Sequence, residues 1–448
     1  MGRLFGTDGV RGIANKELTG NLAYMIGRVG GYHVTRGKKK PRIVIGMDTR
    51  ISCDMLEGAV AAGLCSAGVD VLYAGVLPTP AIACLIRELD ADGGVMISAS
   101  HNPYTYNGIK LFDAAGYKLS DELEEEIENV ILDGRDIQYF PTDGAIGRKI
   151  HLEYPMGIYL DCIMRTTESD FSGLKIAMDC ANGAAYEVAP EALKALGAQV
   201  FVINNKPNGI NINVNCGSTH PEAVQNLVKD TGADIGLSFD GDADRLIAVD
   251  HNGKTVDGDH IMAICGDYMK KAGKLKNNTI VGTVMSNMGL DICLKEKNIA
   301  FVKTQVGDRY VLEEMKRCGY NLGGEQSGHI IFQDYNTTGD GLLTAVQLIS
   351  AVVEQKKTLA DLSSIMYDYP QVLVNARVKN ENKKLYLEDM IISQSIIGLE
   401  SEFEGKGRVL IRPSGTEPLV RVMIEGENEF EIRQKALDLS KLIESRLG

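Results

Sequence analysis

The sequence carries no excess of positive charge. Its 60 Asp and Glu residues outnumber its 47 Lys and Arg residues, which gives a formal net charge of −13. The densest basic stretch, RGKKKPR at 36–42, is short and precedes a predicted strand, so we interpret it as a solvated loop. A general nucleic-acid binder needs a large basic surface, which this composition does not supply. We therefore expect no nucleic-acid partner.

Signals for membranes and secretion are also missing. No uncharged apolar run approaches the length of a membrane span, and the opening MGRLFGTDGVRG has no apolar signal core. The nine cysteines lie singly, without a CxxC pair and mostly among apolar neighbours, which is typical of small buried thiols in a reducing compartment. These features predict a cytoplasmic protein with no membrane partner.

What the sequence does contain is three segments with one layout. Each alternates apolar strands with amphipathic helices, a pattern typical of parallel sheets covered on both faces. The last strand of each segment runs into a very polar loop: SASHNP at 98–103, DGDADR at 240–245 and GEQSGH at 324–329. Ligands of such sheets bind beyond the carboxyl ends of the strands, so we expect the three loops to converge on one cleft.

The remainder, from about residue 370, indicates a different unit with apolar strands and a C-terminal helix. We predict an α/β fold of three similar doubly wound domains with mixed, mainly parallel sheets, plus a smaller C-terminal α+β domain, around a central cleft. The predicted domains are 1–150, 151–252, 253–368 and 369–448.

The strongest chemical signal is a trio of aspartates. Asp240, Asp242 and Asp244 alternate along FDGDADRL, so an extended backbone would put their carboxylates on one side. Three such charges need a counter-ion, and oxygen ligands suit Mg²⁺ or Mn²⁺. An EF-hand is excluded because Arg245 stands where that loop needs glycine and His251 where it needs glutamate. A solvated acidic turn is the alternative.

Ser100 follows a short apolar strand and could be a nucleophile, a phosphate carrier or a turn-forming hydroxyl. The nucleophile of a hydrolase is disfavoured, because no G-x-S-x-G elbow exists and His101, its chain neighbour, would point to the opposite face of a strand. A Walker A loop is missing as well. A serine facing a metal trio suggests a phosphoserine whose phosphate oxygen completes the metal shell. A serine that only caps a turn is the alternative.

Other polar loops offer further candidates. Lys110, in NGIK, could act as an acid or base if the metal and phosphate lower its pKa, or could be a surface charge. The loop RPSGTEP combines a forked donor, hydroxyls and exposed amides, as a dianionic phosphate requires. The phosphate candidates there are Arg412, Ser414, Gly415 and Thr416, hydroxyl-binding candidates in GGEQSGH are Glu325, Ser327 and His329, and a further cation is Arg11.

Seven motifs occur in order between residues 5 and 418: FGTDGVRG, GVLPTP, SASHNPYTYNGIK, FDGDADR, VGDRY, GGEQSGH and RPSGTEP. Together they resemble the α-D-phosphohexomutase superfamily over nearly the whole chain. The resemblance implies a phosphoserine at Ser100 and one Mg²⁺ per active site, held by Ser100, Asp240, Asp242 and Asp244. It implies sugar binding by Glu325 and Ser327, phosphate binding by Arg412, Ser414, Gly415 and Thr416, acid–base roles for Lys110 and His329, and charge neutralisation by Arg245 and Arg11.

Gln326 in GEQSGH favours the branch of this superfamily that acts on glucosamine phosphates, since the phosphomannomutase and phosphoglucomutase branch usually has methionine there. The resemblance then implies exchange between glucosamine 6-phosphate and glucosamine 1-phosphate, with glucosamine 1,6-bisphosphate as intermediate and activator. The product would supply UDP-N-acetylglucosamine and cell-wall synthesis. Action on mannose or glucose phosphates and phosphosugar binding without catalysis remain as alternatives, and a homodimer is left open.

Overall fold

The computed structural model describes residues 4–6, 8–414 and 417–448. It separates two compact units. One comprises Met1–Met285 and Ile299–Ile365, and the other comprises Ser286–Asn298 and Met366–Gly448. The boundaries predicted above within the first three domains stay a prediction, because this division leaves those domains together.

The first sheet lies in the N-terminal third of the chain. The elements described there are β1 (Val10–Ile13), α1 (Gly20–Val34), β2 (Arg42–Met47), α2 (Cys53–Ser66), β3 (Asp70–Val76), α3 (Thr79–Glu88), β4 (Gly93–Ile97), β5 (Tyr106–Phe112), α4 (Asp121–Leu132) and β6 (Lys149–His151). The strand order is β1-β5-β4-β2-β3-β6. Strand β4 is buried along its whole length, which is why it reads as an apolar run without alternation.

The second and third sheets repeat this plan. The second is built from α5 (Pro155–Met164), β7 (Lys175–Asp179), α6 (Val188–Ala195), β8 (Gln199–Ile203), α7 (Glu222–Thr231), β9 (Ile235–Phe239), β10 (Leu246–Asp250), β11 (Thr255–Val256) and α8 (Gly258–Lys271). The third part of the chain contains β12 (Thr279–Thr283), α9 (Met288–Glu296), β13 (Ala300–Thr304), α10 (Asp308–Cys318), β14 (Leu322–Gly324), β15 (Ile330–Phe332), α11 (Gly341–Gln355) and α12 (Leu359–Ser363).

The repeat is visible in the strand order. The parallel trios β4-β2-β3, β9-β7-β8 and β14-β12-β13 have the same order within their sheets. In each sheet the strand that precedes the polar loop is also paired, in the antiparallel sense, with the strand that follows that loop: β5, β10 or β15. The predicted α/β fold with mixed, mainly parallel sheets is therefore confirmed, and each polar loop joins two neighbouring strands at the same edge.

The C-terminal unit is antiparallel. Its main elements are β16 (Gln371–Arg377), α13 (Met390–Phe403), β17 (Gly407–Pro413), β18 (Leu419–Gly426) and α14 (Glu429–Leu447), and the strand order is β16-β18-β17. Helix α14 buries Ile432, Ala436, Leu439 and Ile443, a spacing of three to four residues that forms one apolar stripe.

One cysteine pair corrects the expectation of unpaired thiols. Cys84 in α3 and Cys162 in α5 are joined by a disulfide across 78 residues of sequence. The sequence did not indicate this pair, because the two cysteines lie far apart in the chain and their helices meet only in the folded unit. Among the helices of the described residues, none has both the length and the apolar content needed to cross a membrane.

Helices α1 and α2 approach each other closely through glycines. A Cβ atom at Gly63 would lie 2.2 Å from the Tyr24 carbonyl oxygen and 2.7 Å from the Arg28 amide nitrogen. Both are backbone atoms, so a rotamer change cannot relieve the clash. Gly58, in the same helix, is exposed, and a Cβ atom added there would meet no atom within 4 Å beyond its chain neighbours and the adjacent helix backbone.

We expect Gly63→Ala to lower the free energy of unfolding by about 1–3 kcal/mol, because the two helices must separate to admit the methyl group. The matched control Gly58→Ala should leave it unchanged or raise it by up to about 1 kcal/mol, since alanine favours an exposed helix interior. Urea denaturation of both variants measures the difference. Equal free energies of unfolding for the two variants would show that α1 and α2 can accommodate a methyl group at position 63.

Candidate active site at the ends of three strands

The loops after β4 and β9 meet at Ser100. Its hydroxyl donates a hydrogen bond to Asp240 Oδ2 at 2.6 Å, and both residues are buried. Lys110 Nζ, on β5, donates to Asp242 Oδ2 at 2.9 Å, and His329 Nδ1, after β14, lies 3.6 Å from Asp244 Oδ2. The structure thus brings together predicted site residues from all three polar loops of the first unit.

Ser100 has a left-handed backbone conformation, with φ +52°. A residue with a side chain is strained there by about 1–3 kcal/mol, so the surroundings must hold it. Its amide donates to Ser98 Oγ at 2.9 Å, and its carbonyl accepts from Arg50 Nη2 and Asn213 Nδ2, both at 2.8 Å. These contacts fix the direction in which the serine hydroxyl points.

Arg50 is the main support of this loop. It is fully buried and its Nε lies 2.8 Å from Asp48 Oδ2, while Nη1 donates to the carbonyl of Pro103 at 2.6 Å and that of Tyr106 at 3.2 Å. The guanidinium therefore binds the loop at Ser100 and again where the chain returns to β5. Sequence reasoning missed Arg50, although its place in a polar DTR triplet after β2 is the same strand-end signal that identified Ser100.

The three aspartates form a buried cluster. One carboxylate oxygen from each lies within 4.8 Å of the others. Burial and the charges of Asp244 and Asp242 raise the pKa of Asp240 well above its ordinary value. The Oδ1 atoms of Asp242 and Asp244 are buried and accept no hydrogen bond from a described residue. Crowded carboxylate oxygens with unused acceptor capacity are suited to a hard divalent cation, so the residues present fit Mg²⁺.

Asp242 is oriented by a residue of the GVLPTP motif. Thr79, at the start of α3, donates from its hydroxyl to Asp242 Oδ2 at 2.6 Å and from its amide to the Asp242 carbonyl at 2.9 Å. Because Lys110 also donates to Oδ2, this oxygen is occupied and Oδ1 is the atom left for a metal.

Lys110 is buried among carboxylates. Burial opposes its charged form, but the carboxylates of Asp242, Asp8 and Asp244 outweigh burial and raise its pKa above the ordinary value. The expectation of a lowered pKa concerned a lysine beside a bound metal and phosphate, and it stays a prediction. Without a bound metal or phosphate, Lys110 is an ammonium group enclosed by carboxylates, suited to donating hydrogen bonds.

His101 differs from expectation. Its Nδ1 lies 3.3 Å from Ser100 Oγ and 3.2 Å from Arg245 Nη1. The predicted placement of His101 on the face opposite Ser100 is wrong, because the chain has left β4 and turned before residue 101. Burial, with the charges of Arg245 and Arg11, lowers the pKa of His101 to about 4, so its ring is neutral and can accept a hydrogen bond.

The loop after β14 presents Ser327 exposed and Glu325 half-buried. Glu325 Oε1 accepts a hydrogen bond from the Gly307 amide at 3.1 Å, and burial raises the pKa of this carboxyl. The ring of His329 is buried, and its Nε2 accepts from the Gly339 amide at 3.1 Å. Burial opposes protonation of His329, but Asp244 and Asp308 outweigh it and raise its pKa.

The remaining predicted residues are placed as follows. Arg11 is paired with Asp8 and keeps 28% of its side chain exposed. In the C-terminal unit, Arg412 lies in β17, and Ser414 is buried, with its Oγ accepting from the Glu417 amide at 3.2 Å. Gly415 and Thr416 lie outside the described residues.

Comparisons with known proteins agree along the whole chain. Family models described as phosphoglucomutase/phosphomannomutase α/β/α domains I, II and III match residues 2–137, 158–253 and 257–369, and the C-terminal domain of the same family matches 373–441. The phosphoglucosamine mutase of Alkaliphilus oremlandii (strain OhILAs) is 61% identical over 100% of both chains.

Two solved structures are similar in fold. A phosphoglucomutase/phosphomannomutase family protein from Burkholderia thailandensis has a TM-score of 0.81 and 25% identity, covering 98% of this chain and 97% of its own. The N-acetylphosphoglucosamine mutase of Aspergillus fumigatus, in complex with GlcNAc-6P and magnesium, has a TM-score of 0.69 and 18% identity, covering 99% and 95%.

We expect Arg50→Lys to loosen the serine loop, because lysine keeps the charge but cannot reach four acceptors with one rigid fork. Amide hydrogen exchange over 98–106 should accelerate by about tenfold or more, as expected for the loss of a charge-assisted hydrogen bond. Arg135→Lys is the control, since Arg135 pairs with Asp133 at the surface and is 64% exposed. Unchanged exchange in the loop would contradict the role given to Arg50.

Proposed function

The chain belongs to the phosphoglucomutase/phosphomannomutase family, and from this premise we propose that it interconverts glucosamine 6-phosphate and glucosamine 1-phosphate. The single observation that carries the chemistry is the hydrogen bond from Ser100 to one member of a buried carboxylate trio. The choice of sugar is supported by the 61% identical relative. The reaction is proposed to occur in the cytoplasm.

In the proposed first half-reaction, phosphorylated Ser100 gives its phosphoryl group to the 1-hydroxyl of glucosamine 6-phosphate. The bond between phosphorus and the serine oxygen breaks and a bond between phosphorus and the sugar oxygen forms. The 1-hydroxyl proton passes to a base, and the released serine oxygen takes up a proton. The 1,6-bisphosphate then turns, and the second half-reaction returns its 6-phosphate to Ser100, leaving glucosamine 1-phosphate. We assign these two proton transfers to Lys110 and His329 as a pair: one of them, in its neutral form, accepts the sugar proton, and the other protonates the serine oxygen.

Asp240, Asp242 and Asp244, with an oxygen of the phosphoserine, would hold one Mg²⁺. Bound there, the ion supplies positive charge for the phosphoryl oxygens during transfer. Arg245 and Arg11 supply further cations near Ser100, since positioning and charge stabilisation dominate this type of reaction.

Binding of the rest of the substrate follows the family's pattern in this proposal. Glu325 and Ser327 would bind sugar hydroxyls in both orientations. Arg412, Ser414, Gly415 and Thr416 would bind whichever phosphate is not being transferred, with Arg412 as the forked donor.

Coupled assays with glucosamine 6-phosphate, mannose 6-phosphate and glucose 6-phosphate test the proposal directly. We expect the highest kcat/KM with glucosamine 6-phosphate. A preference for either hexose phosphate would assign the chain to that substrate instead. Binding of a sugar phosphate without turnover of any of the three would indicate a phosphosugar-binding protein.

We expect intact mass and peptide mapping to find one phosphoryl group on Ser100 after incubation with glucosamine 1,6-bisphosphate. The hydroxyl faces the carboxylate cluster, where a cation would stabilise the phosphate dianion. Ser100→Ala should remain unmodified, whereas Ser401→Ala, a change at an exposed serine, should be modified like the wild type. Active protein that never carries phosphate at Ser100 would overturn the phosphoserine mechanism.

We expect Asp242→Asn to raise the Mg²⁺ concentration required for half-maximal activity by about tenfold or more, because it removes one of three charges from the cluster. Calorimetric titration of Mg²⁺ should show the same loss of affinity. Asp230→Asn, at an exposed position of α7, is the control. Wild-type metal affinity in Asp242→Asn would contradict the assignment of this cluster as the Mg²⁺ site.

A further inference from the structure

Lys118 lies in the loop between β5 and α4, with 12% of its side chain exposed. Its Nζ donates to Asp308 Oδ2 at 2.6 Å and to Asp8 Oδ1 at a shorter distance. Asp8 also lies 3.1 Å from Lys110 Nζ. Lys118 therefore links the loop before β1 to the start of α10, which lie 300 residues apart in sequence.

The residue after Asp308 makes a second attachment to the same region. Arg309 Nη2 donates to the Leu119 carbonyl at 3.1 Å and to Glu124 Oε2 at 2.9 Å, and Nη1 pairs with Asp121. Two consecutive residues at the start of α10 are thus bound, through separate side chains, to the segment 118–124. A double attachment of this kind fixes both the position and the rotation of the backbone between them.

On its other side the segment 307–309 contacts the sugar-binding loop proposed above. The Gly307 amide donates to Glu325 Oε1 at 3.1 Å, and Asp308 Oδ2 lies 3.6 Å from His329 Nε2. Gly307 has φ +134°, a conformation that residues with side chains rarely adopt. The backbone conformation of this segment therefore sets the direction in which the Gly307 amide points toward Glu325. Glu325 is therefore oriented by the segment 307–309. That segment is itself bound by residues of 118–124, which belong to the same predicted domain as Ser100.

We propose that Lys118 is a positioning residue that holds the segment 307–309 in place and thereby orients Glu325 for the sugar hydroxyls. The inference rests on the proposed function. Lys118 does not act on the reacting atoms. Its ammonium group lies between the carboxylates of Asp8 and Asp308. Removing it leaves these two negative charges without the cation between them. We expect the segment 307–309 then to move away from Asp8.

The test compares Lys118→Met with Lys118→Arg in the full chain. Arg317→Met is the control, because Arg317 lies on the same helix, α10, and is 70% exposed. Hydrogen exchange without ligand should accelerate over 305–309 and 324–329 in Lys118→Met alone. In a Ser100→Ala background, which prevents turnover, calorimetry should show glucosamine 6-phosphate binding weakened about ten- to a hundredfold, the effect of one charge-assisted contact. Lys118→Arg should recover most of both losses.

Unchanged exchange in Lys118→Met, or accelerated exchange with unchanged sugar phosphate binding, would overturn the proposal. Should Lys118→Met fail to fold, Asp308→Asn removes the same ion pair without stranding a carboxylate at 308, and the same two readouts apply. Wild-type protein that binds no glucosamine 6-phosphate would refute the proposed function. Exchange over 305–309 would then still decide whether Lys118 holds the segment.

Discussion

The site depends on the balance of buried charge. Carboxylates removed from water are tolerated only when cations or hydrogen-bond donors stand beside them. The acidic side chains brought together are Asp8, Asp240, Asp242, Asp244 and Asp308, and the basic ones are Arg11, Lys110, Lys118 and Arg245. Each lysine contacts more than one carboxylate, so no pair can be altered without changing its neighbours. This interdependence ties together loops from all three repeats of the first unit.

The fold could be predicted from the sequence because its signals are local and repeated. Mainly apolar strands followed by polar loops occur three times. The rule that parallel sheets bind ligands beyond the carboxyl ends of their strands then needs no further information. It led directly to Ser100, the aspartate trio and His329, which the structure brings together. The antiparallel strand after each loop explains why the loops stay short and share one edge.

What the sequence could not show are contacts that depend on the packing of distant segments. Lys118 and Asp308 are 190 residues apart and have no shared periodicity. His101 was predicted on the wrong face, because strand alternation does not continue past Ser100, whose backbone is left-handed. The elevated pKa of Lys110 follows from three carboxylates contributed by other segments, which its own motif cannot reveal.

The left-handed backbone at position 100 also restricts which amino acid can serve there. Threonine carries a hydroxyl that can be phosphorylated equally well, but its branched Cβ conflicts with the backbone at φ +52°. Serine has no such branch, and the carbonyl contacts from Arg50 and Asn213 hold its peptide in place. Both residues have a hydroxyl that could carry the phosphoryl group. Backbone geometry, rather than the transfer chemistry, therefore favours serine over threonine at position 100.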